Sequence, residues 1–578
     1  MLDISAPDAF CRRYPELAFL TNMLSFPKKK IKDHIALSET GHIEDAEVIY
    51  IYGLGSGKAF SYFLPWLNRQ KDRDLVIIED DLAALHVFMN NASGKTFVEH
   101  PQFHIRFCLD KGRLEDFCDE CAFSFPLSRI AIFNNKGRKK ERDFEQIKLQ
   151  ILRKTTIREA LAKETLYYHE LFKNLYPNFQ LWPESFFANA LQRQFPNTPA
   201  IICGAGPSLE ESAPDLKKMQ NKALILAGGS TISALSRMGI FPHLGFAIDP
   251  NPEEYYCLKP STIFDEVPLL YGGRLQNRVS LLHNSPLGYL KTSTGGNAEA
   301  WLEKQVGFSQ KALDHGNHAE ALSVTTSAIA FAVMLGCNPI YFCGVDLAYT
   351  GLKRYSAGVK EDSTVRLEKL KKDLRAGETF IEKINPYGKK VYTLVKWIME
   401  SAWISHFTKQ HPEINFYNAS KAGLGFEGVP YRSLRPLFAA PSRDYKGEIF
   451  AKTQEVKLAV SKQDINAHLK TLSASLKKSY GLCLNILEEI EKEKDCDNSV
   501  HFTLYKMDLE EEEAFRILFD GLEETLTAYY QRKFRCHPFM AEKEKRLQQY
   551  RVKQNVWQHL KKIMQDYLET FEKNTSQS

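Results

Sequence analysis

The 578-residue chain lacks any long uninterrupted apolar run. Its most apolar stretch, residues 319–343, is broken by Glu320, Thr325, Thr326, Ser327, Gly336, Asn338 and Pro339, which argues against a membrane span. Neither sign of charge is in large excess. The 76 Lys and Arg against 71 Asp and Glu leave a net +5, too little and too mixed for a nucleic-acid or membrane-surface partner. The eleven cysteines have no disulfide-like spacing, and the single pair Cys118 and Cys121 has no second pair with which to hold zinc. A reducing, cytoplasmic setting is the expectation. No basic segment followed by an apolar stretch opens the chain, so no secretory leader is expected. Glycine nearly vanishes beyond about residue 445, and heptad-like runs at 469–492 and 510–532 take over. That composition suits a helical bundle and carries no catalytic constellation.

What is present is strand–turn–helix alternation. Residues 48–52 read as a strand running into Gly53-Leu54-Gly55-Ser56-Gly57-Lys58 and then an amphipathic helix. A second strand at 75–78 ends in Glu79-Asp80-Asp81, a helix covers 82–90, and strands fit 103–108 and 129–133 with a helix at 112–122 between them. Such alternation implies a parallel doubly wound sheet. The glycine turn resembles the nucleotide loop of Rossmann-like methyltransferases, and Glu79 stands where a ribose-binding acid would. It is not a Walker loop, because the spacing to Lys58 is wrong and Ser or Thr is missing. A scaffold of the same shape without cofactor is the favoured reading. Residues 140–195 read as a helical linker whose aromatics, Tyr167, Tyr168, Phe172, Tyr176, Phe179, Trp182, Phe186 and Phe187, pack against both neighbours; no basic stripe makes them a base-stacking platform.

The centre of the chain is organised around Ile201-Ile202-Cys203-Gly204-Ala205-Gly206-Pro207-Ser208-Leu209. An apolar strand ends in a glycine turn, Pro207 suits a first helical turn, and the amides of Ser208 and Leu209 are expected to face a phosphate above the strand. The strand at 223–227 ends in Gly228-Gly229-Ser230-Thr231, where Ser230 or Thr231 can cap a helix over 232–238. The strand at 244–248 ends in Asp249-Pro250, where Asp249 is either a site charge or a turn cap. Later segments return to the same edge: a flexible loop at Gly295-Gly296-Asn297, a polar cluster Asp314-His315-Gly316-Asn317-His318, and a helix over 319–335 bearing Thr325, Thr326 and Ser327. The strand at 340–343 runs into Gly344-Val345-Asp346, with Tyr349, Lys353, Arg354 and Tyr355 close behind. Tyrosine hydroxyls and cations there suit a departing phosphate. An exposed helix or lid is expected over 360–376, a helix over 391–407 and a strand over 415–418. The whole reads as α/β: two Rossmann-like doubly wound domains, 1–195 with its linker and 196–445, followed by a C-terminal α-helical domain, 446–578.

With these motifs assembled, residues 199–440 resemble the Maf-type motility accessory factor family. The carriers are Cys203-Gly204-Ala205-Gly206-Pro207-Ser208-Leu209, the run from Ile240 to Asp249-Pro250, Gly344-Val345-Asp346-Leu347-Ala348-Tyr349, and Asn418-Ala419-Ser420-Lys421-Ala422-Gly423-Leu424-Gly425. The resemblance implies transfer of a nonulosonic acid from a CMP-sugar donor to Ser or Thr of flagellin, by a central domain similar to bacterial sialyltransferases. It implies nucleotide contacts from Gly204, Ala205, Gly206, Pro207, Ser208, Gly229, Ser230, Thr326 and Ser327. Tyr349 and Tyr355 would meet the CMP phosphate, and no metal is required. Two departures stand out. Ala205 replaces the Asn of the sialyltransferase loop, and no histidine lies between Gly344 and Ser405 to serve as base. Asp249, Asp346, or the nearby His315 and His318 are left as candidates. The same domain is similar to archaeal 6-hydroxymethylpterin diphosphokinases, which implies ATP with Mg²⁺ as an alternative. A non-catalytic flagellin-binding or assembly factor is a third.

Overall fold

The computed structural model describes residues 8–23, 33–35, 43–90, 92–108, 114, 116–118, 126–137, 140–261, 265–292, 294–308, 310–314, 323–357, 359, 364, 380–492, 499–536 and 540–575. His315, His318, Cys121, most of the helix expected over 112–122 and nearly all of 360–376 fall outside them.

The first sheet contains β1 (Val48–Tyr52), β2 (Asp74–Glu79), β3 (Phe103–Phe107) and β4 (Ile130–Asn134), all parallel in the order β3-β2-β1-β4. Its strands are short apolar runs because helices cover both faces. The second sheet has eight parallel strands. In chain order they are β5 (Phe186–Phe187), β6 (Ala200–Cys203), β7 (Leu224–Gly228), β8 (Leu244–Ala247), β9 (Leu269–Tyr271), β10 (Leu287–Tyr289), β11 (Ile340–Cys343) and, beyond the antiparallel hairpin β12 (Phe380–Ile384) and β13 (Lys390–Leu394), β14 (Phe416–Asn418). Their spatial order is β14-β11-β6-β7-β8-β9-β10-β5. From β6 the chain steps to β7 on one side, while β11 lies on the other. The topological switch point is therefore between β6 and β11, where open α/β sheets leave a crevice.

Several local expectations change. Residues 390–394 pair with β12, so the helix expected from 391 begins at Val395 and runs to Gln410. Val391, Tyr392 and Thr393 include two β-branched residues and an aromatic, which suit a strand. Gly296 opens a helix, Gly296–Gln305, where a flexible loop was expected. The helix expected over 510–532 is broken by Gly521 at φ 67°. Strands β5, β9 and β10 have two or three residues each, too few to show a period. β5 adds an outer strand to the second sheet although it precedes residue 196.

The C-terminal helices from Lys462–Lys492 through Glu542–Thr575 share one continuous core with one face of the second sheet, while Tyr445 and Ile449 of the helix Tyr445–Glu455 pack into the core on its other face. Phe172 of the preceding helix Tyr168–Phe179 sits 5.2 Å from Tyr567 and 5.3 Å from Phe571, ring centre to ring centre. Each such buried aromatic contributes about 1.5–3 kcal/mol, so this bundle and the sheet stabilise each other directly. Arg532 and Arg535 pair with Glu47 and Asp74 of the first sheet region. Among the described residues, no helix is long and apolar enough to cross a membrane.

Candidate active site

The loops after β6 and β11 touch at the switch point. Gly204 N–H donates to the Cys343 carbonyl and Gly206 N–H to the Gly344 carbonyl, both at 2.8 Å. A Cβ on Gly204 would stand 2.5 Å from the Gly344 oxygen, and one on Gly206 would stand 2.6 Å from Asp346 Cγ. These glycines therefore exist for loop-to-loop approach. Ser208 N–H donates to Asp346 Oδ2 at 3.0 Å, and the Ser208 hydroxyl donates to Oδ1. Leu209 N–H returns to the Gly206 carbonyl at 3.0 Å. The amides expected to face a ligand phosphate are thus already used. The anion at the start of the helix Ser208–Leu216 is the chain's own Asp346, only 3% exposed, whose carboxyl is pushed up by burial while the Ser208 bonds pull it down.

A cleft of about 1020 Å³ opens beside these loops. Ala205, Gly206 and Asp346 line it, as do Gly229, Ser230, Asp249 and Tyr355; Gly204, Pro207, Ser208, Thr326, Ser327 and Tyr349 do not. After β7, Gly228 passes so close to the helix Val324–Met334 that a Cβ would fall 1.9 Å from Val324 Cγ1. Gly229, at φ 51°, turns the chain into the helix Ser230–Arg237, whose N-terminus has no side-chain cap. Ser230 and Thr231 sit inside the first turn instead of capping it, and both line the cleft. That helix start therefore turns its dipole's positive end and its side-chain-uncapped amides toward the cleft.

Asp249, exposed after β8, accepts from Asn251 N–H at 2.9 Å and from Asn251 Nδ2 at 2.6 Å, fixing the turn that starts the helix Pro252–Leu258. Thr326 is held in a capping box with Ser323, so Ser323, Val324 and Thr325 line the cleft in its place. The Ser323 hydroxyl also donates to Glu400 Oε1 at 2.6 Å. Burial pushes the Glu400 carboxyl up to about 7. Tyr349 is 5% exposed, with its ring 5.0 Å from that of Trp397, so it backs the cleft wall from behind. Tyr355 reaches the wall because Ser356 N–H donates to the Ala205 carbonyl at 2.8 Å, tying this segment to the glycine loop. The Arg354 guanidinium lies 5.3 Å from the Tyr355 ring centre and 5.9 Å from that of Trp397. Lys396 adds a second cation on the same wall. The outer wall is the long helix Glu141–Leu166, where Glu164 pairs with Arg274 at 3.0 Å.

Sequence reasoning passed over Glu254, Arg274, Lys396, Trp397 and Glu400. Glu254 was legible only as one acid in a helix start, and the others reach the cleft from elements distant in the chain.

The first sheet has the same kind of switch point, between β1 and β4, and it is filled from within. Glu79 accepts from the amides of Leu54, Asp80 and Asp81 at 2.9 Å each and pairs with Lys136, which also holds Asp80 at 2.7 Å. Ser56 N–H donates to Asp33 at 2.8 Å. The acid placed to hold a ribose is spent on the turn itself.

A doubly wound parallel sheet with a nucleotide-sized cleft at its switch point defines the class: a Rossmann-like α/β protein with a helical C-terminal bundle. Residues 172–351 match the family described as 6-hydroxymethylpterin diphosphokinase MptE-like. Over 98% of this chain and 96% of the other, the fold is shared with a Maf glycosyltransferase from Magnetospirillum magneticum AMB-1, at a TM-score of 0.52 and 14% identity. No curated protein matches the chain. The likeness to the Maf-type family that the motifs carry thus extends over the whole fold.

Proposed function

We propose that the chain is a glycosyltransferase that moves a nonulosonic sugar from a CMP-linked donor to a serine or threonine of an acceptor protein such as flagellin. One observation carries this reading. An uncapped helix N-terminus at Ser230, the cations Arg354 and Lys396, and Tyr355 converge on one cleft at the switch point. The CMP phosphate would lie against Ser230 and Thr231, with Arg354 and the Tyr355 hydroxyl meeting the charge that grows on it as the sugar departs. Tyr349 acts from behind by packing on Trp397, and Asp346, on the cleft wall, holds the two loops together. Isothermal titration with CMP, CDP, ATP and GTP, each with and without Mg²⁺, tests the reading. Metal-independent CMP binding that weakens on Tyr355→Phe supports it, and absence of CMP binding overturns it.

The match of residues 172–351 favours a second reading, transfer of diphosphate from ATP to a pterin. Among the described residues no three His, Cys, Asp or Glu side chains converge on one point, so magnesium would arrive on the nucleotide's own phosphates. Mg²⁺-dependent ATP binding without CMP binding selects this second reading.

A further inference from the structure

The transferase reading leaves open which group takes the proton of the attacking hydroxyl. Several carboxylates line the cleft, and most are already committed. Asp346 holds Ser208, Asp249 holds Asn251, Glu400 accepts from Ser323, and Glu164 pairs with Arg274. Glu254 differs. It is 7% exposed, it lines the cleft, and its Oε1 is buried with no hydrogen-bond partner. Its other oxygen lies beside Gly229, where a Cβ would come within 3.6 Å of Oε2. A buried carboxylate oxygen left unsatisfied is costly unless a ligand completes it.

We infer that Glu254 is the general base of this cleft, an assignment that rests on the transferase reading. The acceptor oxygen forms its bond to the anomeric carbon. The bond from that carbon to the phosphate oxygen breaks, and its electron pair leaves on CMP. The acceptor's proton passes to Glu254 and from there to solvent. Position supports the role. Glu254 stands next to the Gly229 turn, in the first turn of the helix that follows the Asp249 loop, so it borders the proposed phosphate site without occupying it. Burial and the negative Asp249 push its carboxyl up to about 8, which makes its ionised form a strong proton acceptor whose population grows as pH rises toward that value. The charges sharing the cleft are Asp249, Asp346 and Glu400 on the negative side and Arg354 and Lys396 on the positive side, with Glu164 and Arg274 paired.

The experiment uses the full chain with a CMP-nonulosonate donor and a flagellin acceptor, reading kcat, KM and CMP affinity across pH. The wild type should gain activity as pH rises through about 8. Glu254→Gln should lose about 10²- to 10⁴-fold in kcat, the usual range for removing a general base, with CMP affinity changed less than threefold. Glu254→Asp should recover part of the loss. Asp249→Asn, which removes the neighbouring negative charge, should move the rising limb to lower pH; that readout does not depend on whether Glu254→Gln folds. Wild-type turnover together with full kcat in Glu254→Gln, or an unmoved limb in Asp249→Asn, overturns the Glu254 assignment alone. No CMP binding and no turnover by the wild type overturns the transferase reading and this assignment with it.

Discussion

Replacing Asp346 separates a latch from a ligand-binding acid. Its carboxylate takes two hydrogen bonds from Ser208, one from the amide at 3.0 Å and one from the hydroxyl. Bonds to a charged group contribute about 1.5–3 kcal/mol each, and an orphaned buried donor costs about 1–3 kcal/mol. Burial works against the charge, so the low ends apply, and Asp346→Ala should cost about 3 kcal/mol. With a urea slope of about 3 kcal/mol per molar, that moves the midpoint down by roughly 1 M in unfolding followed by tryptophan fluorescence. Asp346→Asn keeps an acceptor for the Ser208 amide, and its side-chain amide can donate to the Ser208 hydroxyl. It should stay within about 1 kcal/mol of the wild type. CMP affinity should follow stability in both variants. If Asp346→Ala melts like the wild type while Asp346→Asn abolishes nucleotide binding, Asp346 is a ligand group and the latch argument is wrong.

Gly228→Ala drives a methyl into Val324 Cγ1 at 1.9 Å and should cost about 1–3 kcal/mol; Val324→Ala in the same chain should restore part of it, measured as a coupling in a double-mutant cycle, and strict additivity would refute the contact. Tyr349→Ala should lower thermal stability by about 3–5 kcal/mol through lost packing on Trp397, whereas Tyr355→Phe should leave the melting temperature unchanged and weaken CMP binding. Glu254 has a folded-state pKa raised from 4.5 to about 8, so ionising it opposes folding: its contribution is complete below pH 4.5 and is lost as pH rises to 8. Glu254→Gln should therefore flatten the fall in stability across that window and exceed the wild type in chemical denaturation at alkaline pH. An unchanged pH dependence would contradict the buried, unpartnered placement of this carboxylate.

Much of the fold was legible because parallel strands covered on both faces are apolar along their whole length and end in glycine or proline turns. Val48–Tyr52, Ala200–Cys203 and Ile340–Cys343 are of this kind, and the loss of glycine near residue 445 marked the bundle. The motifs also fall together in space, since Ala205, Gly229, Ser230, Asp249, Asp346 and Tyr355 all line one cleft. Strands of two or three residues such as Phe186–Phe187 were not legible, because they carry no period and exist only as neighbours of β10. Nor was the hairpin strand Lys390–Leu394, whose pattern merges into the following helix.

Local sequence determined that glycine turns would sit at the ends of β1 and β6, because only glycine tolerates those approaches and angles. It did not determine what fills them. Glu79 and Lys136 close the first turn, and Asp346 closes the second from 138 residues away. At the helix Ser230–Arg237, among the described residues, no side chain of the chain itself caps the start. A backbone amide donates to the nearest acceptor, whether it belongs to a ligand or to a distant loop of the same chain. Strand order alone decides which loop that is.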